Sequence, residues 1–169
     1  RGSKVSKFMK ILAIVVLLVT IAGAGVVLYG LNTLSPQVVQ TSVAATPAAD
    51  AANTFDSLVS QLENGTFGGK ICGETGDLRM EDCTFLTYTV RLKNKGFFPA
   101  EWISLELTEA AQNDVLILPD DSRHVLAAGS MGDIQVTVLN RTNQPDTART
   151  LRVTCYVFGQ KIVFDVHAA

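Results

Sequence analysis

Charge is absent from most of the first third of this chain. No Asp, Glu, Lys or Arg occurs between Lys10 and Asp50, and no acidic residue precedes Asp50. Arg1, Lys4, Lys7 and Lys10 are the only charges before that point, so all 16 acidic residues and the other ten cations lie from Asp50 onward. A body with more carboxylates than cations lacks the clustered positive charge that neutralises phosphates, which argues against nucleic-acid binding. Histidine is scarce, with only His124 and His167, and neither stands beside a serine or cysteine nucleophile motif. The three cysteines form no Cys-x-x-Cys pair and have no histidine set beside them, so zinc ligation is not expected. Glu74, Asp77, Glu81 and Asp82 cluster without the Asp-x-Asp-x-Asp-Gly spacing of a calcium loop and read as a solvated acidic loop. These absences leave no catalytic residue, metal site or cofactor site to assign, and an enzyme is not expected.

What the chain does have is a run of 21 uncharged residues, Ile11 to Leu31, dominated by Ile, Leu, Val, Ala and Gly. A helix rises roughly 1.5 Å per residue, so this run covers roughly 30 Å, the thickness of a bilayer's hydrocarbon core. Cations on one flank only orient such a helix with its N-terminus in the cytoplasm and the body outside. Residues 1–10 are then a basic cytoplasmic flank, with Arg1-Gly2-Ser3 left out of fold reasoning. Ala22-Gly23-Ala24 fits a small-x-small cleavage site, but Val26 to Leu31 extend the apolar run past signal-peptide length, so the retained helix is the reading taken. Thr20 and Ala24 have small-xxx-small spacing, and Tyr29 sits where an interfacial aromatic belongs. The lipid bilayer is thus the first expected partner, through Ile11 to Leu31.

Residues 32–53 turn to Thr, Ser, Pro, Gln and Ala, a composition that buries too little apolar surface to offset ordering, and read as a stalk. Phe55, Leu58, Val59 and Leu62 recur at helical spacing and predict a short amphipathic helix across the end of the domain, stopped at Asn64-Gly65. After Gly65 the period becomes two. Leu86 to Leu92, Ile103 to Leu107, Ile134 to Val138 and Leu151 to Val157 alternate apolar with polar residues. Val115 to Leu118 is a short continuous apolar run, and Gly159-Gln160 is a turn leading into Lys161 to Val166. With weaker runs at Thr66 to Cys72 and Ser122 to Leu126, the pattern predicts a mainly β domain over 54–169, a sandwich of seven to eight antiparallel strands.

The segment "VRLKNKGFFPAEWISLEL", followed by "VLAAGS" and "IQVTVL", resembles immunoglobulin-like modules of prokaryotic surface proteins, the CARDB adhesion-related domains among them. The similarity rests on an N-x-G turn after one strand and the Leu-x-x-Gly-Ser element from Leu126 to Ser130, and it spans Phe85 to Val166. It implies an immunoglobulin-like fold and adhesion or assembly rather than catalysis. The layout of Gly2-Ser3, hydrophobic helix and outer β domain also resembles type IV and archaeal pilins. Lys7, however, stands where bacterial pilins carry glutamate, and Lys4 and Lys10 interrupt the apolar start.

Outside the cytoplasm thiols oxidise, and three cysteines allow three pairings. Cys72 and Cys83 enclose ten turn-rich residues and are the expected disulfide, while alternation turns Cys155 inward as a buried thiol. Asn64-Gly65-Thr66 and Asn140-Arg141-Thr142 match glycosylation acceptors. Phe97, Phe98 and Trp102 cluster after the turn at Gly96. They are expected to fill the core; exposure would instead mark a partner contact. The chain is expected to be a membrane-anchored surface module that binds other surface or membrane proteins or itself. A pilus- or flagellum-like filament subunit and an accessory subunit of a larger membrane complex are the alternatives.

Overall fold

Leu86, Tyr88, Val90 and Leu92 occupy every second position of one stretch, and in an extended chain such positions share a face. All four are buried in the computed structural model, on the strand β3, Thr84–Lys93. The structure describes residues 2–32, 35–119 and 124–168, without the side chains of residues 2, 3, 5 and 23–32.

Helix α1 spans Gly2–Asn32. Among the described residues, no helix is long and apolar enough to cross a membrane. The side chains from Gly23 to Leu31, which include Ala24 and Tyr29, belong to the span expected from the sequence and lie outside those described. Within the described part, Phe8, Met9, Ile11, Leu12 and the run from Ile14 to Val19 are exposed.

The segment expected to be a stalk is not one over most of its length. Gln37–Pro47 forms β1, antiparallel to β3 from Gln37 opposite Lys93 to Pro47 opposite Thr84, with one bulge at Val39. The ordering entropy is offset by the hydrogen-bonded ladder and by Val38 and Val43, which pack on the core. A turn of 3-10 helix, Ala48–Ala51, leads into α2, Ala52–Asn64. Gly65 ends α2 in the left-handed conformation (φ 69°). There the Gly65 amide donates to Leu62 O and the Thr66 amide to Gln61 O, the capping glycine permits. Phe55 and Leu58 are buried, so α2 lies across the domain as its spacing predicts.

The remaining strands are β2 (Lys70–Ile71), β4 (Ala100–Leu107), β5 (Asp114–Pro119), β6 (His124–Leu126), β7 (Met131–Asn140), β8 (Arg149–Val157) and β9 (Gln160–Ala168). They form two antiparallel sheets, β1-β3-β7-β5-β2 and β6-β4-β8-β9. The inward residues of both sheets make the main core, including Val136, Val138, Leu105, Val153 and Cys155. A second cluster lies on the outer face of the five-stranded sheet, where Phe55 and Leu58 of α2 meet Phe85, Leu116 and Leu139. That cover explains the continuous apolar run at Val115 to Leu118, because a strand buried on both faces does not alternate. Of the run expected at Ser122 to Leu126, Ser122 and Arg123 lie outside the described residues.

A polar clamp joins the sheets at the end where β5 and β8 begin. Arg149 is buried and bonds Asp114 at two points, Nη2 to Oδ1 at 2.9 Å and Nε to Oδ2 at 3.2 Å. The Asn140 amide donates to the same carboxylate at 2.7 Å, and Tyr88 donates its hydroxyl to Thr147 O at 2.8 Å. Burial holds the Tyr88 phenol at a pKa of about 12, the Arg149 charge opposing and the Asp114 charge adding to the rise.

Candidate interaction surface

The end of the sandwich opposite the clamp is built by two loops and a hairpin turn. β1 begins there, β3 ends there, and β7 begins there, since Gln37 pairs with Lys93 and Lys93 with Met131. β4 begins beside the end of β8, Ala100 opposite Val157. The β3–β4 loop, the β6–β7 loop and the β8–β9 turn therefore share one pole.

Asn94 holds the first two loops together. Its side chain is buried and donates to Phe98 O at 2.7 Å and to Leu126 O at 3.0 Å, while its Oδ1 accepts from the Gly96 amide. Its backbone amide donates to Ser130 O, and its carbonyl accepts from Gly129. The turn read at Asn94-Lys95-Gly96 is thus an Asx turn that also staples the second loop.

On this support the aromatic residues divide. Phe98 is half-buried against the core and stacks on Phe158, with ring centroids 4.9 Å apart and a tilt of 34°. Phe97 is 59% exposed and Trp102 56%, so for these two the expected core-filling role gives way to exposure. The reason for Trp102 is a β-bulge. The β4–β8 register slips between Glu101 and Ser104, and Trp102 takes φ 53°. The extra residue turns the indole outward while Ile103 keeps the inward place.

Phe158 is the residue that sequence reasoning missed. The turn expected at Gly159-Gln160 is shifted by one: Val157 pairs with Gln160, leaving Phe158-Gly159 as the two-residue loop. Both have positive φ, 50° and 75°, as a type I′ turn demands. Phenylalanine in that position is strained, and its ring is 75% exposed. The available signal was a large apolar residue directly before a turn glycine. Val125, Met131 and Tyr156 are exposed on the same end, with Tyr156 beside Glu101 and Lys161 across the four-stranded sheet. Single exposed apolar residues are ordinary; several large ones on one pole make this end the candidate contact surface.

The other expected sites lie elsewhere. Cys72, Cys83 and Cys155 are all free thiols. Cys72 packs beside the inter-sheet core and Cys83 in the cluster under α2, so the expected Cys72–Cys83 bond is not formed. Burial raises the pKa of both, and burial alone raises Cys155 to about 11. Asn64 is exposed at the end of α2, where its sequon is open. Asn140 is 1% exposed with its amide on Asp114, which closes the second sequon in the folded domain. Among the described residues, no three His, Cys, Asp or Glu side chains converge as a metal site. His167 bonds Thr150 Oγ at 3.1 Å and borders an open depression of about 410 Å³ with Glu109 and Arg149; Arg149 is already held by Asp114 and by the carbonyls of Asp146 and Ala148.

No family model matches the chain, and no curated protein matches it. Among solved structures, a crystal structure of an ApaA protein from Bordetella pertussis is similar over 79% of this chain and 89% of that chain, with 19% identity and a TM-score of 0.33. At that score the likeness carries no argument about fold or function.

Proposed function

We propose that this chain is a membrane-anchored, extracytoplasmic binding module that acts by contact rather than by catalysis. Its two-sheet body belongs, in this reading, with the immunoglobulin-like sandwiches of surface proteins that the segment from Phe85 to Val166 resembles. α1 is the anchor: its described apolar side chains from Phe8 to Leu18 are between 46% and 65% exposed, a state water opposes and lipid relieves. The single observation that carries the binding role is the aromatic pole. Trp102 and Phe158 both take left-handed backbone, a conformation that costs stability, and both leave large apolar rings 56% and 75% exposed to solvent.

The test uses the full chain with a C-terminal tag, expressed in a cell with a single accessible membrane. It should stay with membranes through an alkaline wash, leave them only in detergent, and lose its tag to protease added outside. Recovery in the soluble fraction, or a protected tag, would overturn the anchor and its orientation. Trp102→Ser should reduce photo-crosslinking from the pole to its partner several-fold without changing membrane retention; unchanged crosslinking would remove the pole as the binding surface.

A further inference from the structure

We infer that the partner of the aromatic pole is the lipid surface itself: Phe97, Trp102 and Phe158 dock at the headgroup level of the bilayer that holds α1, and Lys93, Lys95 and Lys161 engage anionic headgroups. This rests on the anchored reading above and names what that pole contacts.

The first argument is connectivity. α1 ends at Asn32 and β1 begins at Gln37. Five residue steps reach at most about 18 Å when fully extended. Gln37 stands at the pole formed by the end of β3, the β3–β4 loop and the start of β7. The anchor therefore ties this end of the sandwich, through Gln37, to within about 18 Å of the point where α1 ends, close enough to reach the headgroups, while the clamp end lies a further ten residues along β1.

The second argument is composition at that end. Phe97, Trp102 and Phe158 are each more than half exposed, as are Met131 and Val125 on the strands that meet at this pole. Tryptophan collects at the membrane–water boundary, where its ring is half desolvated and its indole N–H stays wet, and phenylalanine beside it adds apolar area that the acyl boundary covers. The same residues would be a liability on an end that faced only water.

The third argument is charge. The segments that build the pole, 93–101, 125–132 and 156–161, hold Lys93, Lys95 and Lys161 against Glu101 alone. The nearby Arg91 is balanced by Asp133, Nε to Oδ1 at 2.8 Å. The segments of the opposite end, 47–51, 72–83, 108–114 and 140–149, hold eight carboxylates and three cations. An anionic surface attracts the first end and repels the second, and both effects vanish beyond a Debye length. Connectivity, aromatic content and charge select the same pole.

Trp102 is the only tryptophan in the chain, which makes the surface its own reporter. The full chain is incorporated into phosphatidylcholine vesicles with or without phosphatidylglycerol, made from plain lipids or from lipids brominated near the headgroup. Co-flotation with the vesicles establishes the anchor independently. In the phosphatidylglycerol vesicles, Trp102 emission should shift to the blue and fall at least twofold with brominated lipid. High salt, or the double change Lys93→Glu and Lys95→Glu, should reverse most of that quenching. Phe158→Asn, which suits the turn, should weaken it while the unfolding midpoint stays near wild type. Chains that float but give the same Trp102 emission over brominated and plain lipid would overturn lipid docking and leave the anchor standing. Trp102 open to aqueous acrylamide in vesicles yet shielded in native membranes would assign the pole to a protein and equally overturn it. Chains that do not float would overturn both readings together.

Discussion

Arg149 and Asp114 meet at two points in a site that leaves their side chains 3% and 0% exposed. The pair joins the first residue of β5 to the first residue of β8 and so ties one sheet to the other. Attraction is strong there because water is excluded, and the same exclusion makes either partner costly when alone. Arg149→Met should cost about 3–5 kcal/mol of folding stability. Replacing both, with Asp114→Leu added, should cost clearly less than the two single changes summed. Urea unfolding of the four proteins checks this; additive losses would show that the two residues are not coupled.

Tyr88 makes the stability of the domain sensitive to alkali. Its pKa is pushed up to about 12 from an ordinary 10, chiefly by burial. A folded-state pKa above the unfolded one means the neutral phenol is favoured by folding. That contribution is whole below pH 10 and is lost as pH rises from 10 through about 12. Tyr88→Phe should lose about 1 kcal/mol at neutral pH with the bond to Thr147. The difference between the two proteins should shrink across that alkaline window, and a constant difference in urea midpoint would contradict the assignment.

All three thiols should be countable and slow to react. Intact-mass counting after denaturation should find three, and thiol reagents should label Cys155 only on unfolding, because its thiolate is disfavoured by full burial. A count of one would restore the Cys72–Cys83 bond expected from the sequence.

Phe158 sits under two opposing terms. A left-handed bulky residue costs about 1–2 kcal/mol, and stacking such as that on Phe98 returns about 0.5–1.5 kcal/mol. Phe158→Asn gives up the stack but relieves the strain, so stability should stay within about 1 kcal/mol of wild type. Phe158→Ala loses the stack and keeps most of the strain. It should be less stable than the asparagine variant by about 1 kcal/mol in thermal unfolding.

Gly69 is required by contact rather than by conformation. A Cβ there would lie 2.3 Å from Ile117 O and 2.6 Å from the Phe67 ring. Gly69→Ala should cost about 1–3 kcal/mol by pushing β2 from β5. Gly76→Ala, in open space in the next loop, should be nearly neutral in the same assay.

Period and punctuation carried most of the fold in the primary structure. The alternation at Leu86 to Leu92 and Leu151 to Val157 marks two central strands, and helical spacing from Phe55 to Leu62 marks α2 with its glycine stop. The segment from Gln37 to Pro47 could not be read this way. Its side chains are small and polar, and it becomes a strand because β3 offers a ladder of donors and acceptors. Ladder bonding leaves no hydropathy trace.

The amino-acid order alone determined the two-layer β body, the inward Cys155 and the uncharged N-terminal run, because each follows from local periodicity or composition. Tertiary structure decided which aromatics stay outside, since that depends on a bulge at Trp102 and a turn at Phe158 set by partner strands. It also separated Cys72 from Cys83 and closed Asn140 against Asp114, outcomes of contacts between residues distant in the chain.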